Sequence, residues 1–437
     1  MYKRVRDQIA DLQKKNGSLS FCVSYSGGAD SGALLYIFKK LFEEGIIIEP
    51  AAVYFNHNLR DEESSAEDRF VSKTCAEYNI RLIKFDLDVK EYSQTKRMSI
   101  ETAARELRYR HYSEIESEFD YIVQGHHSDD NAETVFFNII RGSGTEGACG
   151  IRKIRNKYIR PLLDFTKEDI IAFVKEKAID FVSDSSNTDC VHSRNRIRNM
   201  IFPLIEKELN PKARNNINNF SGTISEITDF ADQYTSLVFD KISSVCKGLC
   251  VIDKKKYTEN HNAIRKALLH KAFKAAGSIY NPDREKTIYI NEKISEEKDF
   301  VFNTEKFSVA TSSNNIIVLL KKLFYNPAKI SVSPDRTKSS IGIYYDQNNI
   351  KGSLLTDRVK TGDVFTPFGR KNDQKVTKVL SDKKIPKILR KHLLCLRDDE
   401  KIIFIQGAGI SDLVKTGDDT NRISRIRVSN DIINVLK

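Results

Sequence analysis

The chain has 437 residues, with 71 Lys and Arg against 60 Asp and Glu, a formal charge of +11 at pH 7. With 40% hydrophobic residues and only 20 Gly and 9 Pro, it has the composition of core-forming globular domains, which excludes a disordered or collagen-like chain; its length suits two or three such domains. No apolar run approaches the roughly 18–20 residues that cross a bilayer. The start, Met1-Tyr2-Lys3-Arg4-Val5-Arg6-Asp7, leads into no signal-peptide core, so a cytoplasmic protein with no membrane partner is expected.

In chain order, Phe21–Tyr25 reads as a short buried strand, Ser31–Phe42 as a helix, Ala51–Phe55 as a strand and Glu62–Tyr78 as a helix. Arg81–Leu87 follows as a strand, Glu101–Phe119 as a helix and Tyr121–Gln124 as a fourth strand. Strands alternating with helices at this spacing predict βαβ units and a parallel sheet. From Ile217, apolar residues at Phe220, Ile224, Ile227, Ala231, Tyr234 and Val238 follow one helix face, and a second helix is expected over Ala263–Ala276, stopped by Gly277. Val301–Leu320 reads as strands around Ser312-Ser313-Asn314-Asn315, and Asn326–Ser340, with its prolines and serines, as a linker. The expected domains are residues 1–207, a mainly helical 208–330 and a small basic α+β domain, 336–437.

Charge is concentrated at the end of the chain. From Arg336 onward there are 21 Lys and Arg against 12 Asp and Glu, so this quarter carries +9 of the +11. Within Lys375–Lys391, seven basic residues face only Asp382. A polyanionic partner is expected for such a surface, with Lys375, Lys378, Lys383, Lys384, Lys387 and Arg390 as its contacts. The seven cysteines, at 22, 75, 149, 190, 246, 250 and 395, contain no Cys-x-x-Cys pair. Reduced, mostly buried thiols are expected rather than a disulfide framework, a structural zinc or an iron–sulfur centre.

The most informative segment is Ser26-Gly27-Gly28-Ala29-Asp30-Ser31, between a buried strand and a helix start. Two glycines allow a tight turn whose N–H groups approach a ligand, two serines add hydroxyls, and the helix N-terminus favours an anion. The segment lacks the lysine and spacing of a Walker A loop and is not Gly-x-Gly-x-x-Gly. It resembles the pyrophosphate (PP) loop of the ATP-pyrophosphatases, which adenylate an acceptor and release pyrophosphate. Further segments narrow the resemblance. They are Phe55-Asn56-His57-Asn58-Leu59-Arg60, Glu101–Tyr109, Gly125–Thr134, Arg141–Gly147, Arg160-Pro161-Leu162-Leu163, Asp184-Ser185-Ser186-Asn187 and Ser193–Arg198, with Arg358, Gly362-Asp363, Pro367-Phe368-Gly369, Lys375, Lys378 and Lys384-Ile385-Pro386 near the end. Taken in order, they are similar to the tRNA(Ile)-lysidine synthetase family.

That resemblance implies a doubly wound α/β catalytic domain and an ATP-dependent ligase. Its partners would be L-lysine and a minor isoleucine tRNA with a wobble cytidine, and a homodimer is compatible with it. The cytidine oxygen would attack the α-phosphate of ATP and release pyrophosphate; the ε-amine of lysine would then displace AMP to give lysidine. Ser26–Ser31 would bind ATP, and Asp30 would hold Mg²⁺ or cap the helix. Asp130 and Glu133, three apart on one helix face, would orient the metal or grip the lysine amine, with capping as the bland alternative. Arg105 and Arg194, with Arg108, Arg196 and Arg198 near them, would face phosphates, a carboxylate or tRNA. Alternatives at this point are a tRNA thiolase of the same superfamily, a small-molecule adenylating synthetase, and a tRNA-binding protein with a degenerate loop.

Overall fold

The computed structural model describes residues 1–57, 61–182, 193–279, 281–296, 299–312, 314–324, 328–335, 342–417, 419–429 and 433. The chain divides into two compact units, Met1–Asp229 and Phe230–Lys437.

The first unit is built on a six-stranded sheet. An opening helix α1 (Tyr2–Asn16) precedes β1 (Phe21–Ser24), α2 (Ala29–Glu43), β2 (Ala51–Asn56), α3 (Asp61–Tyr78) and β3 (Arg81–Asp86). Two helices, α4 (Val89–Lys96) and α5 (Ile100–Ile115), lead to β4 (Tyr121–Val123), α6 (Ser128–Ile140) and α7 (Thr145–Ala148). The short strands β5 (Ile154–Arg155) and β6 (Tyr158–Ile159) close the sheet, followed by α8 (Lys167–Glu176), α9 (Ser193–Arg196), α10 (Phe202–Glu208) and the long α11 (Ala213–Ile242), whose residues from Phe230 on fall in the second unit. The strand order is β3-β2-β1-β4-β6-β5, all parallel except the edge strand β5.

Period-two alternation with both faces covered explains the apolar strands. Phe21, Val23, Ala52 and Tyr54 point into one core with Leu34, Phe38 and Phe173 of the flanking helices. Cys22, Ala51, Val53, Phe55 and Ile122 point into the other, with Ala103, Leu107 and Tyr112 of α5. The chain leaves β1 for β2 on one side and returns through β4 on the other. Ligands of doubly wound sheets bind at such a reversal, beyond the strands' carboxyl ends.

The second unit contains β7 (Ser243–Cys246), β8 (Leu249–Asp253), the helices α12 (Lys254–Thr258), α13 (Asn262–Ala275) and α14 (Arg284–Ser295), and β9 (Val301–Asn303), β10 (Phe307–Ser312) and β11 (Asn315–Leu320). Its antiparallel sheet, order β7-β8-β11-β10-β9, packs Cys250, Ile252, Ile316 and Val318 against Leu268, Leu269 and Ile290 of the helices. The expected strands in Val301–Leu320 are present; β7 and β8 add two more.

After these come β12 (Lys329–Asp335), β13 (Ile343–Asp346), β14 (Leu354–Arg358), β15 (Val364–Phe365), β16 (Gln374–Lys375), α15 (Val376–Asp382), α16 (Lys387–Arg390), β17 (Leu394–Asp398), β18 (Lys401–Ile405), β19 (Gly409–Ile410) and β20 (Ile423–Ser429). The linker expected over Asn326–Ser340 is corrected here, because Lys329–Asp335 is a strand paired along its length with Ile423–Ser429. It lies at a sheet edge, where Pro334 costs no ladder bond, and its polar alternation made it look like loop. The other faces of β8 and β11, through Leu249, Val251, Ile317 and Leu319, share a core with Val376, Val379, Leu380 and Leu389 of α15 and α16. Among the described residues no helix is long and apolar enough to cross a membrane.

Candidate active site

The Ser26–Ser31 turn lies at the carboxyl end of β1. Gly27 has φ +79°, a left-handed conformation that a side chain would strain, and Gly28 is the N-cap of α2. Ser31 Oγ accepts from Ser26 N–H at 3.1 Å and donates to the Gly28 carbonyl at 3.1 Å, with Ser26 Oγ 3.2 Å away. Val182 N–H holds the Gly27 carbonyl at 2.9 Å from outside. The turn is thus braced by its own hydroxyl, leaving the first N–H groups of α2, which have no intrahelical acceptor, at its mouth. Ala29 is buried behind it, and Asp30 Oδ1 accepts a hydrogen bond from Lys167 Nζ at 2.6 Å.

The second loop, after β4, abuts the first: a β-carbon on Gly125 would touch Asp30 Cβ at 3.4 Å. Asp130 accepts the His127 N–H at 3.1 Å, closing the N-terminus of α6, and Glu133 lies one turn on, only 1% exposed. Both carboxylates are met by arginines from the segment that follows Ser193. Arg198 Nε donates to Glu133 Oε1 at 2.7 Å, and its Nη2 to Asp130 Oδ1 at 2.8 Å and Glu133 Oε2 at 2.9 Å. Arg194 Nε donates to Glu133 Oε2 at 3.2 Å, and its Nη2 to the Asp130 carbonyl at 3.3 Å.

Helix spacing produces this clasp. Arg194 and Arg198 lie four apart on one face, while Ile197 and Ile201 pack with Ala132, Phe136 and Phe202. Ile197–Ile201 is a π-helical turn directly before Phe202-Pro203, where the proline cannot donate a helical N–H. Burial alone would push the Asp130 carboxyl up, but His127, Arg194, His126 and the His127 N–H together hold it below the usual carboxylate range. Burial pushes the His126 imidazole down to about 4; Asp130 opposes this, while Arg160, Arg194 and Arg108 reinforce it.

A buried polar layer supports the loops. Arg160 donates to Gln124 Oε1 at 2.7 Å and to the Arg152 carbonyl at 2.9 Å. Asn131 Oδ1 accepts the Ile151 N–H at 2.6 Å, and its amide donates to Asn218 Oδ1 at 3.0 Å. A β-carbon on Gly150, at φ +64°, would lie 2.2 Å from that Asn131 oxygen, so only glycine fits. Arg105 is exposed on α5 and lies over the Tyr109 ring at 5.4 Å. Arg108 is half-buried, and its Nε has no hydrogen-bond partner among the described residues.

The structure therefore brings Ser26–Ser31, Asp130, Glu133 and Arg194 to one end of one sheet, and puts Arg105 on the neighbouring helix. Arg198, which had no more support in the sequence than Arg194, makes the shorter bonds to both carboxylates. Asn58-Leu59-Arg60, Asp184-Ser185-Ser186-Asn187 and Cys190 lie outside the described residues. Sequence reading gave no role to Lys167, Gln124 or Asn131, although Asn131 lies within the Gly125–Thr134 segment, Gln124 directly before it, and Lys167 four residues after Arg160-Pro161-Leu162-Leu163.

In the second unit, Lys375, Lys378, Lys383, Lys384 and Lys387 are exposed around α15 and α16. Arg390 differs: it is half-buried and donates to the carbonyls of Ile385 at 2.9 Å and Thr377 at 3.2 Å, tying the two helices together. Beside them is a cleft of about 760 Å³, to which Lys321, Lys360, Lys387 and Lys391 contribute cations.

A parallel sheet carrying a Ser-Gly-Gly-x-Asp-Ser turn at its topological switch defines the first unit as a PP-loop nucleotide-binding domain. A family model described as the PP-loop domain matches residues 1–205, and one described as the TilS substrate C-terminal domain matches residues 355–428. The chain is 30% identical over 417 residues to the tRNA(Ile)-lysidine synthase of Bacteroides thetaiotaomicron, covering 92% of this chain and 93% of the relative. It is 28% identical over 451 residues to that of Clostridium tetani, covering 95% of each. The synthase of Porphyromonas gingivalis is 37% identical over 237 residues, 52% of this chain and 51% of the relative. The chain belongs to the tRNA(Ile)-lysidine synthase family.

Proposed function

We propose that this chain joins L-lysine to the wobble cytidine of a minor isoleucine tRNA, using ATP and working in the cytoplasm. The observation that carries the proposal is the braced Ser26–Ser31 turn at the sheet's switch point, in a chain similar over nearly its whole length to a named tRNA(Ile)-lysidine synthase. The cytidine O2 attacks the α-phosphate of ATP, forming a C–O–P linkage and releasing pyrophosphate. The neutral ε-amine of lysine then attacks C2, the C–O bond breaks, AMP leaves with the former cytidine oxygen, and the amine's proton passes to solvent.

The first step concentrates negative charge on the leaving pyrophosphate. The N–H groups at the start of α2 and the hydroxyls of Ser26 and Ser31 stabilise it there. Asp30, beside that turn, suits Mg²⁺, an ion that takes one or two carboxylates and draws its other oxygens from phosphates and water. When bound, it supplies charge neutralisation to the triphosphate.

Asp130 and Glu133 are already engaged by two guanidinium groups, so they act through those arginines. They fix Arg194 and Arg198, about one-third exposed, so that an anionic substrate group can meet the guanidinium N–H groups the carboxylates leave over. Arg105 adds an exposed guanidinium from α5. The exposed lysines of the second unit bind tRNA phosphates. Burial pushes the Cys22 thiol up to about 12 and those of Cys75 and Cys395 up to about 11, away from the thiolate that a thiolase mechanism would need from them.

Incubation with ATP, Mg²⁺, labelled lysine and total tRNA tests the proposal. Label entering tRNA with AMP release supports it; ATP turnover on another acceptor with no label in tRNA refutes it.

A further inference from the structure

The PP-loop carboxylate is occupied by a lysine from a distant part of the chain. Lys167 Nζ lies 2.6 Å from Asp30 Oδ1, with the lysine side chain 42% and the aspartate 28% exposed. The backbone carrying this lysine is fixed from three directions. Its own N–H donates to Asp129 Oδ2 at 2.9 Å, and Ser128 N–H donates to the Phe165 carbonyl at 2.9 Å. Thr166 and Asp169 form a reciprocal cap on α8, with bonds of 2.9 and 3.1 Å. A rigid anchor with a long, half-exposed arm suits an ammonium that exchanges partners.

We infer that Lys167 contacts substrate. Its ammonium neutralises Asp30 in the ligand-free protein, then transfers to the β- and γ-phosphates when ATP fills the Ser26–Ser31 turn, and stays with pyrophosphate as it leaves. Asp30 is thereby freed for the cation that accompanies ATP. No covalent bond to Lys167 forms or breaks, and the ammonium keeps its protons throughout. The inference rests on the reading that this turn splits ATP into AMP and pyrophosphate.

Isothermal titration of the full chain with inorganic pyrophosphate and, separately, with AMP, both in chelator without metal, tests it. K167M is expected to weaken pyrophosphate binding by about tenfold or more, the loss typical of a hydrogen bond to a charged group, while leaving AMP affinity unchanged. K167R, which keeps the charge and reach, is expected to retain most of the affinity. D30N releases the ammonium from its resting partner and should tighten pyrophosphate binding. That gain should be absent when D30N is combined with K167M; relief of simple charge repulsion would instead persist there.

Pyrophosphate affinity unchanged in K167M, equal losses for pyrophosphate and AMP, or a D30N gain that survives K167M would each overturn the inference. Wild-type protein that binds neither ligand would overturn the ATP-splitting reading with it. Wild-type protein that binds both, and matches K167M, would overturn the inference alone.

Discussion

Replacing Arg198 by methionine removes three charge-assisted hydrogen bonds at once, at 2.7, 2.8 and 2.9 Å, and keeps most of the side chain's apolar volume. Glu133, 1% exposed, is then left with Arg194 at 3.2 Å. Removing one partner of a buried ion pair costs about 3–5 kcal/mol, and because the guanidinium itself is one-third exposed the lower end applies, about 3 kcal/mol. For a unit of this size each kcal/mol lowers the melting temperature by about 2–4 °C, so R198M should lower the transition of Met1–Asp229 by about 6–12 °C. Scanning calorimetry at pH 7 measures it. R198K, which has no planar fork, should fall between the two, and lysidine formation by R198M should drop by about 100-fold through misplacement of the clasp.

The sign of the pH dependence checks the cause. The folded Asp130 carboxyl titrates below its unfolded value, so its contribution is present above about pH 3.9 and is lost as pH falls through the lower folded value. The Arg198 bond to Asp130 Oδ1 at 2.8 Å loses its ionic partner as that carboxyl protonates, so the gap between wild type and R198M should narrow in that acid range. A melting shift under about 2 °C at pH 7, with unchanged activity, would refute the claim that this clasp organises the site.

His126 predicts a loss of the same sign, but in a higher pH window. Its folded value is pushed down to about 4, so it folds neutral; that stability is complete above about 6.5 and declines by up to about 1.4 kcal/mol per pH unit between there and the folded value. H126N should show a flatter stability curve over this range, measured by urea denaturation, and parallel curves would refute it. In the second unit, K378A/K387A should weaken tRNA binding and reduce the slope of log K against log salt by roughly 1–2, about one per lost phosphate contact. Unchanged affinity at physiological salt would remove these lysines from the interface. Truncation at Ser340 is a poor substitute, because it would expose Leu249, Val251, Ile317 and Leu319.

What was readable in the sequence follows from physical period. β1 to β4 were legible because strands covered on both faces become short apolar runs, and the PP loop because small residues at a strand–helix junction have few other uses. The helix after that loop starts at Ala29 rather than Ser31, since Asp30 and Ser31 serve as its first turn as well as the loop. Strands β5 and β6, of two residues each, carry no period to detect. Lys329–Asp335 resembled a linker because an edge strand tolerates Pro334 and polar residues. The carboxylates Asp130 and Glu133 were visible through their spacing, but which arginine they would meet depends on the π-helical turn at Ile197–Ile201, which leaves no sequence mark. Lys167 was hidden for a similar reason: Thr166-Lys167-Glu168-Asp169 reads as an ordinary helix cap, and Asp30 is reached only through the fold.

The most direct test of the central claim follows one oxygen atom. With a tRNA substrate carrying ¹⁸O at C2 of the wobble cytidine, attack of that oxygen on the α-phosphate predicts that the AMP released on lysine addition contains the ¹⁸O. AMP without the heavy atom, formed while lysine enters the tRNA, would contradict activation of the base and show that another group had been adenylated.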